Sequence, residues 1–305
     1  MRAALIRELG KPPEPSEVDE PSTASLEVVA APINPIDRAV GAGRFYGGHP
    51  ELPYVPGCEC VARDGDGLVY LFRGGLGLQR NGGIAERVVP ADATRIEVPA
   101  GADPALAAAL GIPGIAAWIP VTRTADVGPG DRVLVLTATG TLGNVAVQAA
   151  KLRGAARIVA AGRDRARLER ARELGADATV ELDGDDLAAR LKEAAGSDGP
   201  TVVIDPLWGA PLEAALEAAA PEARIVNIGN SAGPEATVPS AAMRGKQLRV
   251  FGHTNYRRSD EELRQAYHEL VDAATRGDLL IELERFPLER IADAWGSTMK
   301  AVVEP

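Results

Sequence analysis

The apolar run Val133-Leu134-Val135-Leu136, the turn Ala138-Thr139-Gly140-Thr141-Leu142-Gly143 and the helical stretch from Asn144 to Leu152 decide how this chain folds. Four apolar residues in a row read as a buried strand, and the small residues after them let a strand reverse tightly into a helix. Such a turn brings backbone N–H groups and the partial positive charge of a helix start against a pyrophosphate. The spacing is that of a dinucleotide-binding turn with Ala138 in place of its first glycine. Similar turns also occur as plain tight packing, so the surroundings must decide.

After the helix breaker Gly154, Arg157-Ile158-Val159-Ala160-Ala161 reads as a second buried strand that ends at Gly162-Arg163-Asp164. A site that prefers NAD places Asp or Glu at this strand end, where it accepts from the ribose 2′-hydroxyl. Glycine followed by arginine removes the carboxylate that would repel a 2′-phosphate and supplies a guanidinium fork to hold one. NADPH is the expected cofactor, with Arg163 as first phosphate ligand and Arg167 as second. Arg165, Arg170 and Arg172 read as a solvated helix face with Glu169 and Glu173. Asp164 keeps an NAD reading open.

Away from this unit the texture changes. Residues 1 to 111 carry short apolar runs broken by Pro and Gly, such as Leu26-Glu27-Val28-Val29 and Leu68-Val69-Tyr70-Leu71-Phe72, the pattern of a β-rich domain. Residues 112 to 252 alternate strands with helices. Further strands read at Thr201 to Asp205, Arg224 to Ile228 and Leu248 to Phe251, with helices around Leu168 to Leu174, Leu187 to Ala195 and Leu212 to Ala220. Alternating βαβ units predict an α/β fold, a doubly wound parallel sheet. Residues 253 to 305 hold a helix from Glu261 to Arg276 and a strand from Leu280 to Phe286.

At 305 residues the chain exceeds a usual single core, and 46% hydrophobic residues suffice for two. A net charge of −10 argues against nucleic acid or an anionic membrane as partner. Cys58 and Cys60 are the only cysteines, and their spacing suits neither an ordinary disulfide nor a four-ligand metal site. The opening residues are too short in apolar length for a signal peptide, and no run of about 18 apolar residues exists. The expectation is a cytoplasmic protein acting on a small molecule.

In order along the chain stand Asn34-Pro35-Ile36-Asp37, Pro53-Tyr54-Val55-Pro56-Gly57, Gly82-Gly83-Ile84-Ala85-Glu86, Gly130-Asp131-Arg132-Val133-Leu134-Val135 and Leu174-Gly175-Ala176-Asp177. With the glycine turn, these motifs resemble the medium-chain dehydrogenase/reductase superfamily, and within it the zinc-independent quinone oxidoreductases, over nearly the whole length. The resemblance implies a GroES-like catalytic domain, a Rossmann cofactor domain and a C-terminal segment returning to the first. It also implies a homodimer joined near Leu248 to Phe251, a pairing that would hide an open strand edge.

Zinc-dependent relatives place Cys where Asn34 sits and His where Cys58 sits, with a third ligand near Ile112. One thiolate beside an amide and an aliphatic side chain cannot supply a catalytic zinc, so no metal is expected. Cys58 and Cys60 read as small buried hydrophobes beside Glu59. Without a Lewis acid, feasible acceptors are already electron-poor: quinones and α,β-unsaturated carbonyls, whose conjugation spreads developing charge onto oxygen. The resemblance puts Asn34 near the nicotinamide, where its amide could donate to an acceptor oxygen. Tyrosines common in quinone reductases are replaced here by Ala39 and Phe45, which leaves Tyr46 as the nearest substitute.

Ligands sit beyond the carboxyl ends of parallel strands, which nominates Gly229, Asn230, Phe251 and Gly252 for the cofactor. His253 is a candidate proton donor, or a histidine simply hydrogen-bonded at a strand end. Asp37 reads as structural, bonding backbone groups of the turn that follows it. No tyrosine has lysine four residues on, which opposes a short-chain dehydrogenase, and Gly162-Arg163 opposes a methyltransferase. The alternative to a reductase is an NADPH-binding structural or sensory protein with the same fold and little turnover.

Overall fold

The computed structural model describes residues 1–196 and 198–305. The chain divides into two compact units, Gly114–Arg257 and Met1–Pro113 with Arg258–Pro305.

The contiguous unit is built on six strands: β1 (Arg132–Leu136), β2 (Arg157–Gly162), β3 (Ala178–Glu181), β4 (Val202–Asp205), β5 (Arg224–Asn227) and β6 (Arg249–Gly252). All neighbours run parallel in the order β3-β2-β1-β4-β5-β6. Val133 lies opposite Ile158 on one side and Val202 on the other. The central strands read as unbroken apolar runs because a parallel sheet is covered on both faces. Leu134, Leu136, Val159, Ala161 and Val203 pack with Leu191, Leu212, Ala215 and Leu216. Truncating Leu134 to alanine would cost about 2–5 kcal/mol.

Two details differ from the sequence reading. The helix after the glycine turn starts at Thr141 with Gly140 as its N-cap, three residues earlier than expected. Strand β3 was not anticipated, because Thr179 and Glu181 break its apolar character at the sheet edge. Strand β6 closes the other edge with all four residues exposed.

The discontinuous unit holds a seven-stranded sheet and a two-stranded hairpin of Arg2–Leu5 with Glu14–Glu17. The main path of the larger sheet runs Leu283–Pro287, Lys300–Glu304, Leu26–Pro32, Glu59–Asp64, Gly67–Phe72 and Thr94–Glu97, with Arg87–Val88 pairing to Leu26–Pro32. Lys300–Glu304 is thus an interior strand, next to the edge and antiparallel to Leu26–Pro32 with Val302 opposite Pro32. Helix Pro35–Gly41 starts directly after, set by proline in its first turn and by a capping box in which Asp37 reaches back to the Asn34 backbone. Helix Asp260–Thr275 begins the same way, with Ser259 and Glu262 as its box. It buries Leu263, Tyr267, Leu270 and Val271 along one stripe. The strand expected at Leu280 begins at Leu283.

Candidate functional site

In the contiguous unit, the turn after β1 is shaped by two close approaches. A Cβ on Gly143 would lie 2.2 Å from the Thr137 carbonyl oxygen and 2.5 Å from the Ala138 Cα, so only glycine lets the helix start this near the strand. Thr137 itself has φ of 62°, a left-handed value unusual for a β-branched residue. Ala138 is fully buried and its N–H donates to the Ala161 carbonyl at 2.8 Å, which stitches the turn to the end of β2. Gly140 is different: nothing lies within 4 Å of where its Cβ would be. It caps the helix without a side-chain hydrogen bond, leaving the first-turn N–H groups of Thr141, Leu142 and Gly143 without intrahelical acceptors. Beside the turn, Thr137 Oγ1 and Asn144 Oδ1 are buried without a partner among the described residues. Open space at Gly140, unspent helix-start donors and two orphaned oxygens fit a bound pyrophosphate and its sugar.

At the end of β2, Gly162 pairs with Glu181 and is the last strand residue. A Cβ there would lie 2.5 Å from the Thr139 methyl, so glycine lets Thr139 rest against the strand end. Arg163 is exposed, and its guanidinium makes no hydrogen bond or ion pair among the described residues. Arg167 donates to the Thr139 carbonyl at 3.5 Å and stands 3.6 Å from Asp164. Asp164 serves as N-cap of helix Arg165–Glu173, accepting from the Arg167 N–H at 3.2 Å.

Beyond β4, the Asp205 carboxylate is fully buried and accepts from the Leu207 and Trp208 N–H groups and from the Asn227 amide, each at 2.9 Å. Asn227 also donates to the Gly229 carbonyl at 2.7 Å, and a Cβ on Gly229 would meet the Pro206 carbonyl at 3.0 Å. Asn230, Phe251 and Gly252 are exposed. His253 is buried with Nε2 2.9 Å from Asn255 Oδ1, a histidine hydrogen-bonded past a strand end.

The discontinuous unit contains a buried polar cluster that the sequence did not announce. Asn34, 1% exposed, has both ends of its amide engaged: Nδ2 donates to Glu59 Oε1 at 2.7 Å, and Oδ1 accepts from Lys300 Nζ at 2.6 Å. Glu59 Oε2 accepts from the Tyr70 hydroxyl at 2.5 Å and the Ile112 N–H at 2.6 Å. Tyr70 stacks on Tyr267 with ring centroids 4.6 Å apart. Asp37 accepts from the Asn34 N–H at 2.7 Å and the Cys58 N–H at 2.8 Å. Its partners are thus a preceding residue and a distant strand entry, not the following turn. Burial pushes the Glu59 and Asp37 carboxyls up, while Lys300 and their donors pull them back. Burial likewise lowers Lys300 to about 8 against the attraction of Glu59 and Asp37.

The Asn34 side chain is an interior strut between Glu59 and Lys300. Tyr46, a candidate substrate contact or an ordinary exposed aromatic, is 97% exposed and leans on Phe45 with centroids 4.5 Å apart. Within its own unit nothing positions its hydroxyl. Cys58 and Cys60 are free and buried, as small hydrophobes should be, and burial pushes both thiols up. Asn34, Cys58 and Ile112 thus present a committed amide, a buried thiol and an aliphatic side chain. Among the described residues no three His, Cys, Asp or Glu side chains cluster to hold a metal ion. Lys300, Glu59 and Tyr70 were missed because their meeting depends on strand register. The one available signal was a lysine opening the apolar run Ala301-Val302-Val303.

Comparison with known proteins agrees with this architecture. A family described as zinc-binding dehydrogenase matches residues 141–274. A quinone oxidoreductase-like protein 2 homolog from Nematostella vectensis is 29% identical over 262 residues, covering 82% of this chain and 71% of that protein. The quinone oxidoreductase of Thermus thermophilus, whose complex with NADPH is also known, superposes with a TM-score of 0.80 at 27% identity over 100% of both chains. An NAD-dependent alcohol dehydrogenase superposes with a TM-score of 0.86 at 26% identity, again over 100% of both. The chain is thus similar in sequence and in fold to dehydrogenases and reductases of the medium-chain type, quinone oxidoreductases among them.

Proposed function

We propose that the protein is a zinc-independent, NADPH-dependent oxidoreductase that reduces quinones or other α,β-unsaturated carbonyls. The observation that carries this reading is that Asn34, where zinc-dependent relatives place a ligand, has its amide committed to Glu59 and Lys300. An acceptor that needs no Lewis acid is then the consistent substrate. Preference for NADPH is supported by Arg163, whose guanidinium is uncommitted, and by Asp164, whose carboxylate is spent on a helix cap. Similarity to a quinone oxidoreductase known in complex with NADPH supports it further.

When bound, the dihydronicotinamide supplies a hydride; the chain itself binds and orients. The turn Ala138 to Gly143 holds the pyrophosphate by backbone N–H groups. Arg163 and Arg167 hold the 2′-phosphate, Arg163 more strongly because Arg167 is already shared with Asp164 and Thr139. Gly229, Asn230, Phe251 and Gly252 line the strand ends nearer the nicotinamide ribose. We propose also that two copies pair along the open edge of β6, where Val250 and Phe251 are 40% and 36% exposed.

Purified protein should oxidise NADPH with benzoquinones, naphthoquinones or enones, and NADH more weakly. Tight NADPH binding without turnover on any of these would instead favour a structural or sensory role.

A further inference from the structure

We propose that the cavity over the first hairpin of the discontinuous unit binds a small molecule with an apolar body and a carboxylate head. Its volume is about 490 Å³, inside the range of roughly 300–1,000 Å³ that small-ligand sites occupy. It shares no lining residue with the Asn34–Glu59–Lys300 cluster, so such a ligand binds whether or not the chain reduces quinones.

The apolar part of the cavity follows from the pleat of a strand. Along Arg2–Leu5 successive side chains alternate, so Ala4 enters the main core of the unit while Ala3 and Leu5 face the other way. There they meet Val55 and Ala85, with Met1 and Val18 packed against them. Backbone pairing holds the patch together: Ala3 bridges to Ala85, Ile6 bridges to Tyr54, and the Gly82 N–H donates to the Val55 carbonyl at 2.6 Å. Four buried residues are too few to close over themselves. Leu5, Val55 and Ala85, together with Val88, therefore line an open apolar cavity rather than a filled core.

The head group is set by donors. Asn81 lines the cavity, and the Val55 N–H donates to its Oδ1 at 3.0 Å, which fixes the amide and leaves Nδ2 without an acceptor among the described residues. Arg87 lines it too: Nε donates to Ser25 Oγ at 2.9 Å and Nη2 to the Ser25 carbonyl at 3.1 Å, which leaves Nη1 unspent. Arg80 gives its guanidinium to the carbonyls of Gly74, Val89 and Pro90. Among the described residues neither arginine has a carboxylate within ion-pair reach, and Asp92 attracts Arg80 only from farther off. Asp19 is the one acidic residue of the lining, and it is exposed. In a chain of net charge −10, two cations and an amide donor against one solvated acid are a local reversal of sign. They call for a head that accepts, and a carboxylate accepts from a guanidinium and an amide at once.

The test uses the whole chain and three probes with one tail, decanoate, decanol and decylammonium, each below its micelle concentration. Calorimetric titration should show saturable binding of decanoate, with decanol weaker by about tenfold or more and decylammonium weaker again, the scale of hydrogen bonds to a charged group. Arg87→Gln should bring decanoate down towards decanol and leave decanol unchanged. Val18→Phe fills the cavity from its half-buried wall and should weaken both; should it fail to fold, Val89→Trp fills the same space from a loop. Methyl spectra should place the shifts caused by decanoate on Leu5, Val55 and Val88. The cavity is not such a site if wild-type protein shows no saturable decanoate binding, or if decanol or decylammonium binds as tightly. Decanoate binding unchanged by Arg87→Gln, or unchanged in a filled variant that folds, overturns it as well, as do methyl shifts confined to other residues.

Discussion

A Cβ on Gly111 would fall 2.0 Å from Glu59 Oε2 and 2.7 Å from the Tyr70 hydroxyl. Glycine at this position is what allows the chain to pass against a buried carboxylate and its tyrosine partner. Gly111→Ala must push Glu59 off its donors, leaving a buried charge without hydrogen bonds. The expected loss is about 3 kcal/mol or more, read as a lower urea midpoint, with Gly10→Ala, at a strained but open site, losing less.

Gly140 and Gly143 should part company. Gly143→Ala collides with the Thr137 carbonyl and should lower thermal stability as well as cofactor binding. Gly140→Ala adds a methyl to open space at an extended φ of −119°, so the melting temperature should hold while NADPH binding weakens by about tenfold or more. Calorimetric titration and a thermal melt on the two variants separate the effects.

Removing the uncommitted guanidinium should change cofactor choice rather than turnover. Arg163→Ala is expected to raise the KM for NADPH by about 10–100-fold and leave that for NADH nearly unchanged, given about 1.5–3 kcal/mol for charged hydrogen bonds. Arg167→Ala should do less. Equal effects on both cofactors would mean the 2′-phosphate is held elsewhere.

The buried amine gives alkaline stability a sign. Lys300 titrates near 8 in the folded chain against 10.5 as the reference value, so between these pH values the unfolded chain binds the extra proton. Stability therefore rises with pH across this window, by up to about 3 kcal/mol relative to Lys300→Met. Urea melts at pH 7.5 and 9.5 check the slope.

Val250→Asp should break association along β6. Light scattering would then report 31.8 kDa for the variant and twice that for the parent. A parent that is already monomeric removes the dimer.

The cofactor-binding fold was legible because its determinants are local. Apolar runs mark strands covered on both faces, and Gly143 and Gly162 stand where packing forbids a side chain. Strand β3 escaped because an edge strand need not be apolar. The polar cluster was illegible for another reason: Asn34 and Lys300 lie 266 positions apart and meet only through the register of Val302 on Pro32. For Tyr46 the sequence carries no signal of direction, because an aromatic in a glycine-rich loop can point either way.

Strand Lys300–Glu304 lies inside its sheet, between Leu283–Pro287 and Leu26–Pro32, and this orders events during synthesis. Residues 114–257 can fold as soon as they leave the ribosome, since their sheet draws on no later segment. The first 113 residues must wait for the last strand, with Glu59 and Asp37 lacking their countercharge until Lys300 arrives. A newborn chain is thus half finished in the middle and unfinished at its start, which makes the stretch before Gly114 the part most in need of a chaperone.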